Sequence, residues 1–466
     1  MWFKTATLGC KVNQYETQWL RAALMANGWH DADANGAEIN ADLVDWVFIN
    51  TCSVTQESDA KSRKLVSHYA AQCPNAKIAL LGCYAASHPQ QAQSLSGVTC
   101  VLADKRRLPE FLSKLGLTTI PTVATGHAER HRAYLKVQDG CRVGCAYCVI
   151  PQTRPYLSSR PIPEVLAEAR ALAQAHYHEI VLTGIHLGHY GLDFGPNQTV
   201  TPIPPCNAPL TLEEYYARHA ALAPSQRVGL AELLQALAHA ELPQMRVRLG
   251  SLEAIEVNDA MLEVMARHRD FFCPHFHLSM QSGDDTVLRG MRRRQLSGPF
   301  IERCREILAR FPNAALTTDV IVGFPGETEE QFQRTCEVVE TLCFSRVHVF
   351  RFSPRPGTIA AEMPRQVDAP VKKERAARLQ TLARRLREEF ARKLLGGTAL
   401  VVVEEVEQVA QDQWLARGCS EHYYSVETLM SRRDDLLPGQ FVRVELTDLT
   451  SDVFRAKILE RNPSVR

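Results

Sequence analysis

The chain has 466 residues, of which 45% are hydrophobic and 23% charged, a composition that is typical of a folded globular protein and excludes a disordered chain. Lys and Arg number 53 against 52 for Asp and Glu, so any nucleic-acid binding must come from local basic patches. No apolar run approaches the roughly 18 residues of a membrane span, and the first residues lack the pattern of a signal peptide, so we expect a cytoplasmic location.

The first part of the chain, residues 1–126, alternates short apolar runs with helical stretches. Strands that alternate with helices indicate a parallel sheet with helical crossovers, so we predict an open parallel-sheet α/β domain here. The predicted strands cover residues 3–8, 47–50 and 78–81, and the predicted helices cover residues 16–27 and 57–71. A segment mixing Pro, Gly, His and Thr at residues 121–131 reads as a linker.

The same alternation continues through residues 127–396. Six strand–helix units favour a partial (β/α) barrel, and a Pro- and Ala-rich insertion at residues 195–226 interrupts them. The last helix, residues 371–395, carries nine Lys or Arg against three Glu between Lys372 and Lys393. The predicted strands are residues 133–137, 179–182, 246–249, 275–280, 319–322 and 346–350.

Residues 397–466 change to short alternating strands. Runs at 400–403, 423–426, 441–446 and 453–459 predict a small C-terminal β-barrel or sandwich. The chain as a whole is therefore predicted to be α/β, with three domains.

Cys141, Cys145 and Cys148 form a C-x3-C-x2-C pattern directly after the first predicted barrel strand. Three thiolates this close can bind one metal centre, and thiolates favour zinc or iron–sulfur clusters. Structural zinc takes four protein ligands, whereas a four-iron cluster with three thiolates keeps one iron open. The pattern favours the cluster, and a zinc site completed by a distant ligand such as His131 is the alternative.

Cys10, Cys52 and Cys83 each follow an apolar run of the first domain. The carboxyl ends of parallel strands lie along one edge of a sheet, so we expect these thiols to converge there. They are predicted to hold a second three-thiolate cluster. The alternative is three unrelated buried thiols, since cysteine is often buried.

The chain resembles the methylthiotransferase family of radical S-adenosylmethionine enzymes over nearly its whole length outside the insertion. The barrel cysteine pattern is typical of the superfamily. The opening Thr7-Leu8-Gly9-Cys10-Lys11-Val12-Asn13 resembles the branch that acts on N6-threonylcarbamoyladenosine in tRNA. Other matching segments are Ile49-Asn50-Thr51-Cys52, Gly82-Cys83-Tyr84-Ala85, Leu182-Thr183-Gly184-Ile185-His186, Gln281-Ser282-Gly283, Gly323-Phe324-Pro325-Gly326-Glu327 and Phe352-Ser353-Pro354-Arg355.

This resemblance implies methylthiolation of C2 of N6-threonylcarbamoyladenosine beside the anticodon, by a barrel of the radical SAM type. It implies two [4Fe-4S] clusters and S-adenosyl-L-methionine as cofactors. Cys141, Cys145 and Cys148 would hold the radical-generating cluster, and Cys10, Cys52 and Cys83 the sulfur-donating one. The implied partners are tRNA, an electron donor such as flavodoxin or ferredoxin, and a sulfur source, and the protein is expected to be a monomer without a membrane partner.

Two alternatives stay open. The same chemistry could act on another tRNA adenosine or on a ribosomal-protein side chain. An alternative of another class is a non-catalytic, zinc-containing RNA-binding protein.

Weaker candidates follow other barrel strands and line the basic helix. Residues expected to contact the cofactor are Gly184, Ser251, Glu253, Gln281, Gly323 and Gly326. Residues expected to bind RNA are Arg384, Arg385, Tyr423, Arg443 and Arg455, for which a solvated surface or, for the tyrosine, a barrel core is the alternative. Cys273, His275 and His277 are read as core rather than metal ligands.

Two segments depart from the family pattern. Gln152-Thr153-Arg154-Pro155 lacks an aromatic residue before the arginine, and Glu421-His422-Tyr423 lacks the usual Asn. Because neither contains a cluster cysteine, they bear on loop contacts to the substrate and not on the chemistry.

Overall fold

The N-terminal part of the computed structural model is an open, five-stranded parallel sheet in the order β2-β1-β3-β4-β5, as predicted. Its central strand β3 is buried along its whole length, which suits its Trp, Val, Phe and Ile side chains. The strands β1 to β5 are Trp2–Thr7, His30–Asp31, Trp46–Thr51, Lys77–Gly82 and Val98–Val101. The helices α1 to α5 are Lys11–Ala26, Gln56–Gln72, Cys83–Ser87, Pro89–Gln93 and Leu108–Lys114.

The structure describes residues 1–33, 40–119, 121, 123, 131–195, 198, 200, 228–431, 436–463 and 465. Most of the predicted linker and of the predicted insertion lie outside these residues.

The central part is an arc of six long parallel strands, which confirms the predicted partial barrel. The arc consists of two sheets, β7-β6-β8-β9 and β10-β11-β12-β13. They meet where the backbone of Val247 bonds the segment before β11, donating to the carbonyl of Phe271 at 2.7 Å and accepting from the amide of Cys273 at 2.9 Å. The strands β6 to β13 are Arg132–Asp139, Ser158–Ser159, Glu179–Gly184, Arg246–Leu249, Ser251–Leu252, His275–Leu278, Ala315–Val322 and Arg346–Arg351. The helices α6 to α13 are Ile150–Thr153, Ile162–Gln174, Leu230–His239, Asp259–Arg267, Asp285–Gly290, Ser297–Arg310, Glu329–Thr341 and Ile359–Glu362.

The barrel strands are apolar on their outer face and polar on their inner face. Leu135, Ile180 and Val247 belong to the large core beneath the helices. Since side chains alternate along a strand, the residues between them face the inside of the arc, which we call the lumen. The polar lumen residues are Tyr134, Lys136, Glu179, Arg246, Arg248, His275, His277, Thr317, Asp319 and His348.

The chain ends in helix α14, Ala369–Leu394, and a closed five-stranded barrel in the order β14-β15-β16-β18-β17. Its strands β14 to β18 are Thr398–Ala410, Gln413–Ser420, Ser425–Met430, Phe441–Thr450 and Val453–Arg461. Tyr424 fills this barrel and stacks on Phe390 of α14 with the ring centroids 6.1 Å apart. The sequence prediction missed β15 and placed the start of β16 two residues too early, at Tyr423.

A buried ion triad joins the two barrels. Glu179 accepts from Arg246 at 2.6 Å and from Arg248 at 2.8 Å. The same guanidinium groups donate to the carbonyl oxygens of Leu400 and Ser420 in the C-terminal barrel, at 2.6 and 3.0 Å. All three charged side chains are at most 1% exposed, so the C-terminal barrel is held against the lumen by ions and not by apolar packing alone.

Among the described residues, no helix combines the length and apolar character of a bilayer span.

Candidate active site

The structure brings the three N-terminal cysteines together at the carboxyl edge of the first sheet. Cys10 follows β1, Cys52 follows β3 and Cys83 begins α3 after β4, and these three strands are neighbours. The thiol of Cys52 lies within electrostatic reach of those of Cys83 and Cys10. Burial raises the pKa of Cys52, so a positively charged centre that binds the thiolate would offset a real desolvation cost.

Two glycines and an asparagine hold these loops in place. Gly82 has φ +98°, and a Cβ there would lie 2.3 Å from the carbonyl oxygen of Thr51. The amide of Asn13 donates to the carbonyls of Leu8 and Thr51 at 2.8 and 3.0 Å, which ties the loop before Cys10 to the loop before Cys52. The arrangement of the three thiols is therefore built into the backbone.

The second cysteine set lies in the loop after β6. The amide of Cys148 donates to the carbonyl of Cys145 at 3.1 Å, so the loop turns tightly around one point. Cys141, Cys145 and Cys148 lie within electrostatic reach of one another, and burial raises the pKa of Cys145 and Cys148. We call this set the barrel triad and the other the N-terminal triad.

Charged side chains surround the barrel triad. Arg293 Nη1 donates to Cys145 Sγ at 3.5 Å, and the ring nitrogen Nδ1 of His186 lies 3.6 Å from Cys141 Sγ. Glu253 binds both Arg293 and Arg294, at 2.7 and 2.6 Å. Glu253 was predicted to contact the cofactor, and the structure shows its carboxylate held by two arginines.

The donor set fits a thiolate-bound cluster in each triad. In each triad one thiol lies within electrostatic reach of the other two, so the three can bind one centre. Ligand atoms of Cys141, His186 and His189 also lie within 4.8 Å of one another and could bind a single zinc ion. His186 Nε2, however, pairs with Glu256 at 2.5 Å, and despite burial this carboxylate and the Cys141 thiol raise the pKa of His186 well above its ordinary value. A protonated His186 donates from Nδ1 toward Cys141 Sγ and has no lone pair left for a metal ion.

The two triads face each other across the interface between the first sheet and the barrel. Helix α3, which begins with Cys83, packs on α6, which begins two residues after Cys148. A cavity of about 200 Å³ is lined by Val54 and Thr55 from the N-terminal side and by Cys148, Gln281 and Asp319 from the barrel.

The other predicted cofactor residues lie at the same end of the barrel. Gln281 has φ +70° and its amide donates to the carbonyl of Asp319 at 2.8 Å. Gly184 ends β8, and Ser251 begins β10 and is exposed. Gly323 and Gly326 both have positive φ, and a Cβ on Gly323 would lie 2.2 Å from Lys372 of α14. This contact explains the glycine at 323 by packing, and cofactor contacts of these residues remain predictions.

The predicted RNA-binding residues differ in their surroundings. Tyr423 packs with its ring 4.7 Å from the guanidinium of Arg248 and 5.2 Å from the ring of His275. The ring of Tyr423 thus lies at the junction of the two barrels and is half-buried, and base stacking by this residue remains a prediction. Arg385 and Arg443 pair with Glu389 and Glu460, at 2.9 and 3.4 Å, while Arg384 and Arg455 are exposed.

Two charged features escaped the sequence analysis. Arg154, taken there as a loop residue, is 4% exposed and binds Asn13 and Glu16 of α1 at 2.9 and 2.8 Å. The sequence signal for this contact was Glu16 on the inner face of α1. A carboxylate is buried in an apolar core only when a cation pairs with it. Lys11 extends into the lumen, where burial lowers its pKa to about 8, so it is mainly protonated at neutral pH.

Comparisons with known proteins agree with this architecture. Residues 135–339 match the family model of the Radical SAM superfamily, and residues 3–103 match Uncharacterized protein family UPF0004. A solved radical S-adenosylmethionine methyltransferase, TsrM from Kitasatospora setae, aligns with a TM-score of 0.50 at 12% identity, covering 77% of each chain. This likeness concerns the fold alone.

Fold and site together define an enzyme of the radical S-adenosylmethionine superfamily. Threonylcarbamoyladenosine tRNA methylthiotransferase MtaB of Bacillus subtilis is 33% identical over 94% of this chain and 92% of its own. The enzyme of the same name from Thermotoga maritima is 32% identical, over 96% and 94%. A tRNA-2-methylthio-N(6)-dimethylallyladenosine synthase of Corynebacterium urealyticum is 31% identical, over 96% and 80%. The chain belongs to the methylthiotransferase family.

Proposed function

We propose that the protein is a tRNA methylthiotransferase that converts N6-threonylcarbamoyladenosine beside the anticodon to its 2-methylthio derivative. The observation that carries this function is the pair of cysteine triads on the two sides of one interface. The C2–H bond of adenine is not acidic, so its replacement needs a radical source and a sulfur donor near the same carbon. Two [4Fe-4S] clusters and S-adenosyl-L-methionine, when bound, supply these two reactants.

The chain's own residues position the reactants. Cys141, Cys145 and Cys148 hold the radical-generating cluster in this proposal, and Cys10, Cys52 and Cys83 hold the sulfur-donating one. The cavity between the triads, which Gln281 and Asp319 line, accommodates reacting groups of the cofactor and the base. The acceptor base must leave its stack to enter, as for other enzymes that modify a base.

The remaining expectations belong to the same proposal. The domain boundaries lie near residues 126 and 396, and the protein acts as a cytoplasmic monomer. Exposed Arg384 on α14 and Arg455 on β18 contribute to a basic track for the tRNA backbone. A flavodoxin or ferredoxin supplies the electron, and a separate sulfur source restores the donor cluster.

The test combines genetics with two variants. Mass spectrometry of tRNA nucleosides from a strain lacking the gene should show loss of the 2-methylthio form and accumulation of N6-threonylcarbamoyladenosine. The wild-type gene should restore the product, and both Cys145→Ala and Cys52→Ala should fail to do so. In the purified enzymes, Cys145→Ala should lose reductive cleavage of S-adenosylmethionine, while Cys52→Ala should keep it.

Other results would identify the alternatives. Loss of a methylthio group from dimethylallyladenosine would indicate the substrate of the Corynebacterium relative. In a strain without a second enzyme, an unchanged nucleoside profile would exclude the proposed substrate and would favour a ribosomal-protein side chain as the acceptor. Zinc without acid-labile sulfide would indicate a non-catalytic RNA-binding protein.

A further inference from the structure

Lys11 lies at the start of the helix that packs on two strands of the arc, because α1 contacts β6 and β8. It follows Cys10 in the chain and begins α1. Its ammonium group lies within electrostatic reach of Arg132, Glu179, Arg248 and Asp319, which face the lumen from four different strands. Because these four residues face the inside of the arc, an ammonium group that is close to all of them lies in the lumen. Asp319 is shared by two regions, because it is one of the four groups near the lysine and it also lines the cavity beside Cys148.

The positive charge of Lys11 has no partner in the described part of the chain. It forms no ion pair and no side-chain hydrogen bond there, and the first turn of α1 contains no acidic residue. The neighbouring anions are already engaged. Glu179 binds Arg246 and Arg248, and Asp319 accepts from His277 at 3.2 Å. An enclosed charge without a partner is costly, so the lumen is suited to a ligand that brings a negative charge.

A second polar group in the same lumen also lacks a partner. His275 is 4% exposed, and its Nδ1 has no hydrogen-bond partner among the described residues. His277 and His348 line the next layer, with their ring centroids 5.7 Å apart. The lumen thus combines one free cation with imidazole groups that can donate or accept hydrogen bonds. These groups suit a ligand that carries a carboxylate beside neutral polar atoms.

We propose that Lys11 is a specificity-determining residue that binds the carboxylate of the threonyl group and so holds the acceptor adenine between the two triads. This inference rests on the function proposed above. The threonylcarbamoyl group ends in a carboxylate and a hydroxyl, whereas a dimethylallyl group has neither. A lysine at this position therefore favours binding of the anionic substrate over the apolar one.

The test uses two RNA substrates and the fully loaded enzyme. One is an anticodon stem-loop that carries N6-threonylcarbamoyladenosine, and the other carries its methyl ester, which removes the charge. A charge-assisted hydrogen bond predicts that the wild-type enzyme loses about 10- to 100-fold in kcat/KM on the ester, chiefly through KM. Lys11→Met should show the same loss on the acid and no further loss on the ester. Lys11→Arg, which keeps the charge, should still prefer the acid.

Controls separate this inference from its alternatives. Lys61→Met removes a charge that pairs with Glu57 on the surface of α2 and should discriminate like the wild type. Iron and sulfide are measured in each variant because Lys11 follows Cys10. If Lys11→Met loses iron, the wild-type affinities for the free nucleoside acid and its ester decide the question. The inference would be overturned if the wild-type enzyme had the same kcat/KM on the acid and the ester. It would also be overturned if Lys11→Met preferred the acid as strongly as the wild type does. A wild-type enzyme inactive on both RNAs would instead refute the proposed function.

Discussion

Single side chains around the barrel triad bring positive charge to sulfur. Arg293 donates to Cys145 Sγ at 3.5 Å and is itself fixed by Glu253 at 2.7 Å. A donor aimed at a cluster sulfur stabilises the reduced, more negative cluster and raises its reduction potential. The position of Arg293 is therefore set by an ion pair, while its effect is exerted on the thiolate.

We predict that Arg293→Met lowers the midpoint potential of the barrel cluster. The expected change is about 60 mV, a tenfold factor for a one-electron couple. EPR-monitored redox titration of the loaded enzyme measures it. Arg293→Lys keeps the charge and should fall between the variant and the wild type, and equal potentials in all three proteins would show that Arg293 only packs.

For single residues, the sequence predicts which side chains belong to the site better than it predicts which residues they contact. The six cysteines were chosen from their spacing and from their place after apolar runs, and the structure brings each set of three together. Arg154 was assigned to a substrate loop because its partner Glu16 is 138 positions away in sequence. No local pattern reports a contact over such a separation, and the same limit hid Lys11 in the lumen.

The ends of strands are the elements that create the site. The strand β4 ends at Gly82, whose positive φ turns the chain directly into α3 so that Cys83 faces the neighbouring cysteines. A side chain at 82 would collide with the backbone of Thr51, which cannot move without disturbing β3. The glycine is required by both conformation and space.

We predict that Gly82→Ala displaces Cys83 and empties the N-terminal triad. Iron per chain should fall by half, while reductive cleavage of S-adenosylmethionine at the barrel triad should persist. Gly116→Ala is the matched control, because Gly116 also has positive φ, at +80°, but has open space around its Cα. Retention of full iron content by Gly82→Ala would contradict this account.

Element types were predictable where burial follows a regular period. The apolar runs of the first sheet identified β3 and β4, because strands covered on both faces read as continuous hydrophobic segments. The run at residues 3–8 also identified β1, although that strand is mostly half-buried and contains Lys4 and two Thr residues. Strand β15 was missed because Gln413–Ser420 mixes Trp, Leu and Ala with Arg, Gly and Ser, which resembles a loop. The start of β16 was wrong because Tyr423 adopts φ +69° in the turn before it.

The whole molecule is assembled through buried ions. Glu179, Arg246 and Arg248 hold the C-terminal barrel against the lumen, and Glu16, Asp139 and Arg154 hold α1 against the central barrel. Ion pairs of this kind are directional, so they fix the orientation of the C-terminal barrel and of α1 relative to the central barrel. Fixed orientation matters because the two triads belong to different sheets and must face one cavity.

We predict that Glu179→Gln loosens the C-terminal barrel. Two buried guanidinium groups would lose their counter-charge, which typically costs about 3–5 kcal/mol in the free energy of unfolding. Urea unfolding of the cluster-free protein measures the loss, and faster proteolysis between α14 and β14 should accompany it. Glu340→Gln, which removes a surface partner of Arg385, is the control and should leave the urea midpoint unchanged. A variant at position 179 as stable as the wild type would show that the triad adds orientation without stability.

The lock between α1 and the barrel also constrains how such proteins can change over generations. Its aspartate and arginine are encoded more than a hundred codons after its glutamate. Recombination that exchanges the segment encoding α1 with that of a distant homologue preserves these ion pairs only if both parents carry the same charges. Ancestry of the two parts is therefore coupled, and a charge reversal on one side survives only together with its complement on the other.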